Sequence, residues 1–176
     1  MAVAIIGLSP STKDNYPDVE LWGLPWDEGC WVKYDRLFEM HELSLIEEHP
    51  DARPRGYLDR LKSLDNLYMQ EDYFGNIRYP FEAVAETTGA YWNSSIAYML
   101  ALAVHEEHED IYILGVDMKA DEEYFYQRPN LEYLIGVAKG KGLRVHLPDE
   151  SPVMKFYGVI YYGSNLQEYK ERYGKR

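Results

Sequence analysis

Hydrophobic positions in this chain cluster in short apolar runs set between polar stretches. The run at 111–116 (IYILGV) has the form of a strand covered on both faces, and Asp117 ends it. A polar, aromatic connection follows (MKADEEYFYQR), and then Pro129 sits where a first helical turn tolerates proline, because that turn's N–H has no partner to lose. Leu131, Leu134, Ile135 and Ala138 recur at i, i+3, i+4 and i+7 and mark one apolar helix face. Gly140 and Gly142 suit the helix end, with Lys139 and Lys141 near its negative pole. Residues 143–147 read as the next strand, closed by Pro148. The stretch 111–148 is thus a predicted β-α-β unit with a right-handed crossover, and ligands bind beyond the carboxyl ends of such strands. Asp117, Glu122, Glu123, Tyr124, Gln127 and Arg128 fall at that end, as do Asp149, Glu150 and Ser151.

The rest of the chain repeats this alternation. Residues 3–6 form a predicted first strand, residues 20–24 a second ended by Pro25, and residues 36–40 a third that delivers His41 at its end. Residues 42–55, polar and carrying Pro50 and Pro54, read as a surface excursion. A helix is predicted over 57–62 with Leu58 and Leu61 buried, a fourth strand over 66–70, a loop over 71–76, and a short helix from Tyr79 to near Gly89. The clearest helix covers 96–105; it is apolar almost all round, which predicts burial, and Asn93 or Ser94 can cap it. These elements predict an α/β three-layer sandwich with a mainly parallel sheet of about six strands. No linker, repeat or low-complexity stretch divides 1–176, so a single domain is expected.

Composition narrows the classes. With 176 residues, 46% of them hydrophobic, the chain can bury a proper core. No apolar run approaches the roughly 18 residues of a membrane span, and no basic segment precedes the first apolar stretch, so neither membrane insertion nor a signal peptide is expected. Cys30 is the only cysteine, which precludes an intramolecular disulfide, suits the cytoplasm and favours a packed side chain over a nucleophile. A net charge of −12 argues against nonspecific binding to duplex nucleic acid but leaves room for a small phosphorylated ligand held by a few local donors. The 17 tyrosines suit wet surface packing, or else a concave or oligomeric surface. The aromatic segment 151–162 either wraps over the site or joins copies of the chain as a homo-oligomer.

Several residues carry candidate chemistry. The turn after the first strand, Gly7-Leu8-Ser9-Pro10-Ser11, lets backbone approach a ligand at Gly7 and offers the Ser9 and Ser11 hydroxyls to phosphate. It matches neither G-x-G-x-x-G nor a phosphate loop ending in G-K-S/T, and a serine-capped turn without ligand is an equal alternative. Trp26 and Trp31 either cover the first strand, the favoured reading, or stack on a base or sugar. His41 at a strand end serves as a general base or ligand contact, or else holds the following loop through a backbone carbonyl. Asn93, Ser94 and Ser95 at a helix start make an anion or hydroxyl site. His105 and His108, three apart, lack the spacing of H-E-x-x-H, and a solvated acidic helix end is favoured over a metal site there. Arg128 can grip two oxygens of a phosphate, with Tyr124 beside it, or pair with Glu122 or Glu123.

The segments IIGLSPSTKD, WGL, FEMH, SSIAYMLALAV and IYILGVDM together resemble small phage-encoded proteins of Rossmann-like fold. More distantly, over roughly residues 3–148, they are similar to bacterial sialyltransferases that use CMP-sugar donors. That resemblance implies nucleotide contacts at Gly7, Ser9, Ser11, Asn93, Ser94 and Ser95. Separately, LEYLIGVA resembles the E-x-G-x-A helix of nucleoside deoxyribosyltransferases, whose glutamate is a nucleophile. Here Glu132 stands further from its glycine than that pattern has it, four residues before Gly136 instead of two, and a carboxylate favoured by the helix dipole is the preferred reading. The leading expectation is a nucleotide or nucleotide-sugar as ligand, with no other cofactor indicated, and transfer or cleavage at its glycosidic carbon. His41, Asp117 and Glu123 are the candidates beside the scissile bond; Ser9, Ser11, Ser94, Ser95 and Arg128 are the candidate phosphate donors. The alternative is a non-enzymatic module that captures a nucleotide signal or a protein, and an assembly role suits the tyrosines alone.

Overall fold

The apolar run near the N-terminus becomes a central strand. In the computed structural model, which describes residues 1–9, 17–26, 33–118 and 122–154 (of 122–125 the backbone alone), β1 (Ala2–Ile6) pairs in parallel with β2 (Glu20–Gly23) on one side and with β6 (Asp110–Leu114) on the other. β3 (Arg36–Glu39), β4 (Leu67–Met69) and β5 (Ile77–Arg78) extend the sheet beyond β2, and β7 (Arg144–His146) extends it beyond β6. The order is β5-β4-β3-β2-β1-β6-β7, and every pairing is parallel. This is a Rossmann-like α/β sheet of seven strands rather than the expected six or so. The extra strand is β5, whose two residues are both exposed and so leave no apolar signal.

Strand alternation supplies both faces of the sheet with core. Val3, Ile5, Phe38, Ile111 and Ile113 point to one layer, which contains α3 (Phe81–Thr88), α4 (Ser95–His105) and α5 (Glu122–Gly140). Ala4, Ile6, Leu37, Leu67 and Met69 point to the other, covered by α1 (Leu43–Glu48) and α2 (Tyr57–Lys62). The apolar helix α4 is buried from Ile96 to Val104 except at Tyr98, and it packs on the sheet between α3 and α5. The stripe Leu131, Leu134, Ile135 and Ala138 is wholly buried. Each fully buried Leu or Ile there contributes on the order of 1.5–3 kcal/mol.

Three local expectations change. α5 begins at Glu122, so Pro129 lies inside the helix and not in its first turn. A proline there removes one ladder hydrogen bond, while the buried stripe behind it and the Arg128–Glu132 pair at 2.8 Å hold the helix across the break. The polar excursion 42–55 contains α1 and a 3₁₀ turn at Pro50–Ala52; Ile46 is the one buried residue of α1, too little to reveal a helix by periodicity. In α2 the buried positions are Tyr57 and Leu61 rather than Leu58 and Leu61.

The amino end of the sheet is closed by ion pairs. Arg36 binds Glu20 at 2.8 Å and Glu106 at 2.7 Å, with its guanidinium 4.6 Å from the centre of the Trp22 ring. His108, expected in solvent, is buried against Trp22 and bonds Glu106 at 3.2 Å, while His105 bonds Thr87, so the two histidines serve separate packing tasks. Arg144 grips both oxygens of Asp110, with His146 on the same carboxylate at 2.8 Å. Among the described residues no helix is long and apolar enough to cross a membrane. Cys30, Trp31, most of the tyrosine-rich segment 151–162 and the charged tail lie outside the described residues.

Candidate functional site

At the carboxyl end two turns cross in direct contact. The chain leaves β1 at Gly7 and β6 at Gly115, and the ladder continues between them: Gly7 N–H donates to Leu114 at 2.8 Å and Ser9 N–H to Gly115 at 2.8 Å. A Cβ on Gly7 would stand 2.3 Å from the Gly115 carbonyl oxygen, and a Cβ on Gly115, whose φ is +65°, would stand 2.7 Å from that of Gly7. Only glycine fits either place. β1 is also where the order of connection reverses, toward β2 on one side and β6 on the other, the switch point at which open α/β sheets bind ligands.

A cavity of about 900 Å³ opens above this crossing. Its base is formed by Gly7–Ser9 and Gly115–Met118. One wall is the start of α4, with Asn93, Ser94, Ser95, Ile96 and Tyr98; Gln127 of α5 also lines the cavity. The opposite wall is the end of β3, with Glu39, Met40 and His41, together with Trp26, Arg53 and Gln70. The sequence candidates Gly7, Ser9, His41, Asn93, Ser94, Ser95 and Asp117, from four separate segments, therefore share one cavity. Arg128 is not among the lining residues. Its guanidinium donates to Glu132 at 2.8 Å and to the Pro152 carbonyl at 2.9 Å, and Glu132 also accepts the Met154 N–H at 2.9 Å, so this pair ties α5 to the chain after β7. Ser11 lies outside the described residues; Glu123 and Tyr124 lie in the first turns of α5, their side chains outside the description.

The polar groups of the cavity differ in how they are held. The Ser9 hydroxyl donates to Asp117 at 2.5 Å. The Ser94 hydroxyl caps α4 by accepting the Ala97 N–H at 3.2 Å; the remaining N–H groups of the first turn have no partner within the helix, and Ser95 lines the cavity beside them. The Asn93 amide donates to the Tyr126 carbonyl at 3.2 Å, joining the starts of α4 and α5. Gln70 secures the end of β3 through the Met40 carbonyl at 2.5 Å.

The least expected member is Glu39. It is 1% exposed, yet it is a carboxylate surrounded by donors. His41 Nδ1 lies 2.5 Å from Oε1, the His41 N–H donates to the same oxygen at 3.1 Å, the Tyr57 hydroxyl donates to Oε2, and Trp26 Nε1 donates to Oε2 at 3.3 Å. Burial alone would raise the Glu39 carboxyl; the hydrogen bonds from His41 and Tyr57 outweigh it and hold the group below the usual range, ionised at neutral pH. Burial, with the Glu39 charge beside it, pushes the Tyr57 phenol far above its usual value, so Tyr57 stays a neutral donor. Arg53 lies over the Trp26 ring at 4.4 Å, and its buried Nε has no hydrogen-bond partner among the described residues. One signal for Glu39 was present in the sequence: residues i and i+2 of a strand share a face, so a glutamate two before His41 in an apolar strand stands beside it. Arg53 and Gln70 reach the cavity from distant segments and left no such mark, and neither did Tyr57, which stands behind Glu39; Trp26 lines the cavity, as the stacking alternative for it required. Among the described residues no three His, Cys, Asp or Glu side chains gather as a metal site would need.

No protein-family model matches the chain, and no curated protein matches it in sequence. Its backbone is similar to those of solved sialyltransferases from Campylobacter jejuni. For CstII in complex with a substrate analogue, cytidine-5'-monophosphate, the identity is 18%, the coverage is 94% of this chain and 86% of that chain, and the TM-score is 0.59. For the alpha-2,3-sialyltransferase in apo form the values are 15%, 93%, 82% and 0.58, and for the monofunctional alpha-2,3-sialyltransferase Cst-I 15%, 85%, 76% and 0.57. At these identities the likeness is one of fold.

Proposed function

We propose that this chain binds a nucleotide-sugar in the cavity above the Gly7–Gly115 crossing and transfers its glycosyl group to an acceptor hydroxyl. The observation that carries the reading is the meeting, in one cavity at the sheet's switch point, of a capped helix N-terminus with a histidine and an aspartate. A volume of about 900 Å³ lies within the range of small-molecule sites and suits a ligand of nucleotide-sugar size. The first-turn N–H groups of α4 and the Ser95 hydroxyl receive the phosphate, where the helix dipole favours negative charge. Gly7 brings backbone against the ligand, and Asp117, oriented by Ser9, accepts a ligand hydroxyl. His41 on the facing wall takes the proton of the acceptor hydroxyl. A cytidine nucleotide is the first choice of donor, because backbones of this fold have been solved with cytidine-5'-monophosphate and with CMP-3FNeuAc.

Thermal unfolding with CMP, UMP, deoxynucleoside monophosphates, CMP- and UDP-sugars and NAD tests this. A ligand at 100 times its dissociation constant adds about 2.7 kcal/mol. The expected result is a clear rise in Tm with CMP and CMP-sugars, followed by CMP release from the sugar donor when acceptor hydroxyls are added. Silence across the panel overturns the nucleotide reading. Binding without turnover overturns the enzyme and leaves a nucleotide-binding module.

A further inference from the structure

We infer that Glu39 is a positioning residue that fixes His41 as its Nδ1–H tautomer and so presents Nε2 to the cavity as the proton-accepting atom. The geometry of donors carries this. Trp26 Nε1 and the His41 backbone N–H are donors only, and both point at the Glu39 carboxylate. The Tyr57 hydroxyl donates to the Trp26 side of the group, Oε2. Oxygens surrounded in this way act as acceptors, so the short contact from His41 Nδ1 to Oε1 at 2.5 Å requires the proton on Nδ1. His41 lines the cavity with its side chain 43% exposed, and with Nδ1 taken Nε2 is the nitrogen left for a bound molecule.

A carboxylate this deeply buried is costly unless every lone pair is used. Packing alone would be served more simply by an apolar residue at position 39, like Leu37 on the same face. The arrangement has the logic of an orienting acid behind a catalytic imidazole: the acid stays ionised, holds the ring and stabilises the imidazolium. Asp117 is placed differently, with the Ser9 hydroxyl on its carboxylate, which leaves the proton-accepting role to His41.

The consequence for transfer rests on the glycosyl-transfer reading above. The acceptor's O–H proton passes to His41 Nε2. The acceptor oxygen forms the new bond to the anomeric carbon. The bond from that carbon to the nucleotide's phosphate oxygen breaks, and its electron pair leaves with the phosphate. The Nδ1 proton remains on Nδ1 throughout, and Glu39 balances the new charge.

The test reads the imidazole itself and needs no substrate. Nitrogen-15 NMR of histidine-labelled protein, above the pH at which His41 becomes neutral, should show a single His41 tautomer with Nδ1 protonated and Nε2 bare. Glu39→Gln should release the ring toward the Nε2–H form that a free histidine favours, and Tyr57→Phe, a milder change, should shift it part of the way. A wild-type His41 in the Nε2–H form, or a tautomer unmoved in both variants while thermal unfolding shows them folded, overturns the assignment. With a nucleotide-sugar that turns over, Glu39→Gln should lower kcat about 100-fold with KM little changed, as loss of an oriented base does. A fixed Nδ1–H tautomer in a protein that turns over no nucleotide-sugar leaves the positioning role standing and removes the glycosyl-transfer reading. A free tautomer removes the positioning role whatever the chain turns over.

Discussion

The amino end of the sheet and the cavity at its carboxyl end hold charge differently. At the amino end opposite charges meet directly: Arg36 is shared by Glu20 and Glu106, and Arg144 is bound by both oxygens of Asp110. In the cavity at the carboxyl end two acids, Glu39 and Asp117, accept from side chains of another kind: Tyr57, Trp26 and an imidazole on Glu39, and the Ser9 hydroxyl on Asp117. What binds that end together is backbone, the crossing at Gly7 and Gly115. Ion pairs close a surface because each partner satisfies the other. An end fastened by backbone leaves its side chains able to face a ligand. The difference separates charge that stabilises from charge available for chemistry, within one sheet.

The largest effect should come from attacking that backbone fastening. Gly115→Ala forces a non-glycine residue to φ +65° and sets its Cβ 2.7 Å from the Gly7 carbonyl oxygen. Left-handed strain and overpacking together should cost about 3 kcal/mol, read as a lower urea midpoint. Stability unchanged within about 0.5 kcal/mol would mean that the crossing is not what holds the cavity end. Arg36→Ala attacks the other end. Exposed ion pairs contribute under about 1 kcal/mol and buried ones lose about 3–5 kcal/mol when one partner is removed. Arg36, with a side chain 22% exposed, lies between them, so about 2 kcal/mol is expected. Ligand affinity should not move, because the guanidinium lies at the opposite end of the strands; a large loss of affinity would break the division between the ends.

Acid sharpens the comparison. Glu39 and Glu106 are both held below the usual carboxylate range, each against the opposing effect of burial: Glu39 by His41 and Tyr57, Glu106 by His108 and Arg36. A carboxyl depressed in the folded state contributes stability that is complete above its unfolded value, about 4.3, and is lost as pH falls through the folded value. Urea midpoints measured from pH 7 to pH 3 should therefore fall in acid. Glu106→Gln and Glu39→Gln should each flatten that fall, whereas only Glu39→Gln should also alter His41. Equal acid sensitivity in both variants and wild type would show that neither carboxyl is depressed.

The same contrast explains what could be read from the sequence. Strands buried on both faces appear as apolar runs, so β1, β2, β3, β4 and β6 were legible, as was the stripe of α5. β5 was not, because its two residues are exposed, and neither was the first part of α5, because a proline marks a helix start more often than an interior. Cavity residues at element ends, such as Gly7, His41, Ser95 and Asp117, were legible because the fold class places ligands there. Arg53 and Gln70 line the cavity from either side of α2 and β4; the burial of Leu61 there was legible, but that of Tyr57, which brings this stretch against Glu39, was not. Arg128 illustrates the reverse: its type suited phosphate, and tertiary structure used it on Glu132 and Pro152.

The smallest expected effect discriminates most finely, since it separates two neighbouring serines at the start of α4. The Ser94 hydroxyl accepts the Ala97 N–H and is the helix cap. The Ser95 hydroxyl has no hydrogen bond to a described residue and lines the same cavity. Ser94→Ala should therefore cost about 1 kcal/mol of stability, the usual value of such a cap. It should weaken ligand binding only as far as the helix start loosens, and Ser94→Gly, which costs a cap position only a few tenths of a kcal/mol, should recover most of the loss. Ser95→Ala removes nothing the fold uses, so its unfolding midpoint should stay within about 0.5 kcal/mol of wild type. A phosphate that accepts the Ser95 hydroxyl loses one charge-assisted hydrogen bond in that variant, about 1.5 kcal/mol, or roughly tenfold in Kd for CMP. Titration calorimetry on the two variants decides the matter. Stability lost at 94 and affinity lost at 95 place the phosphate at the helix start; affinity intact at 95 moves it away from α4 and toward the Gly7–Ser9 turn.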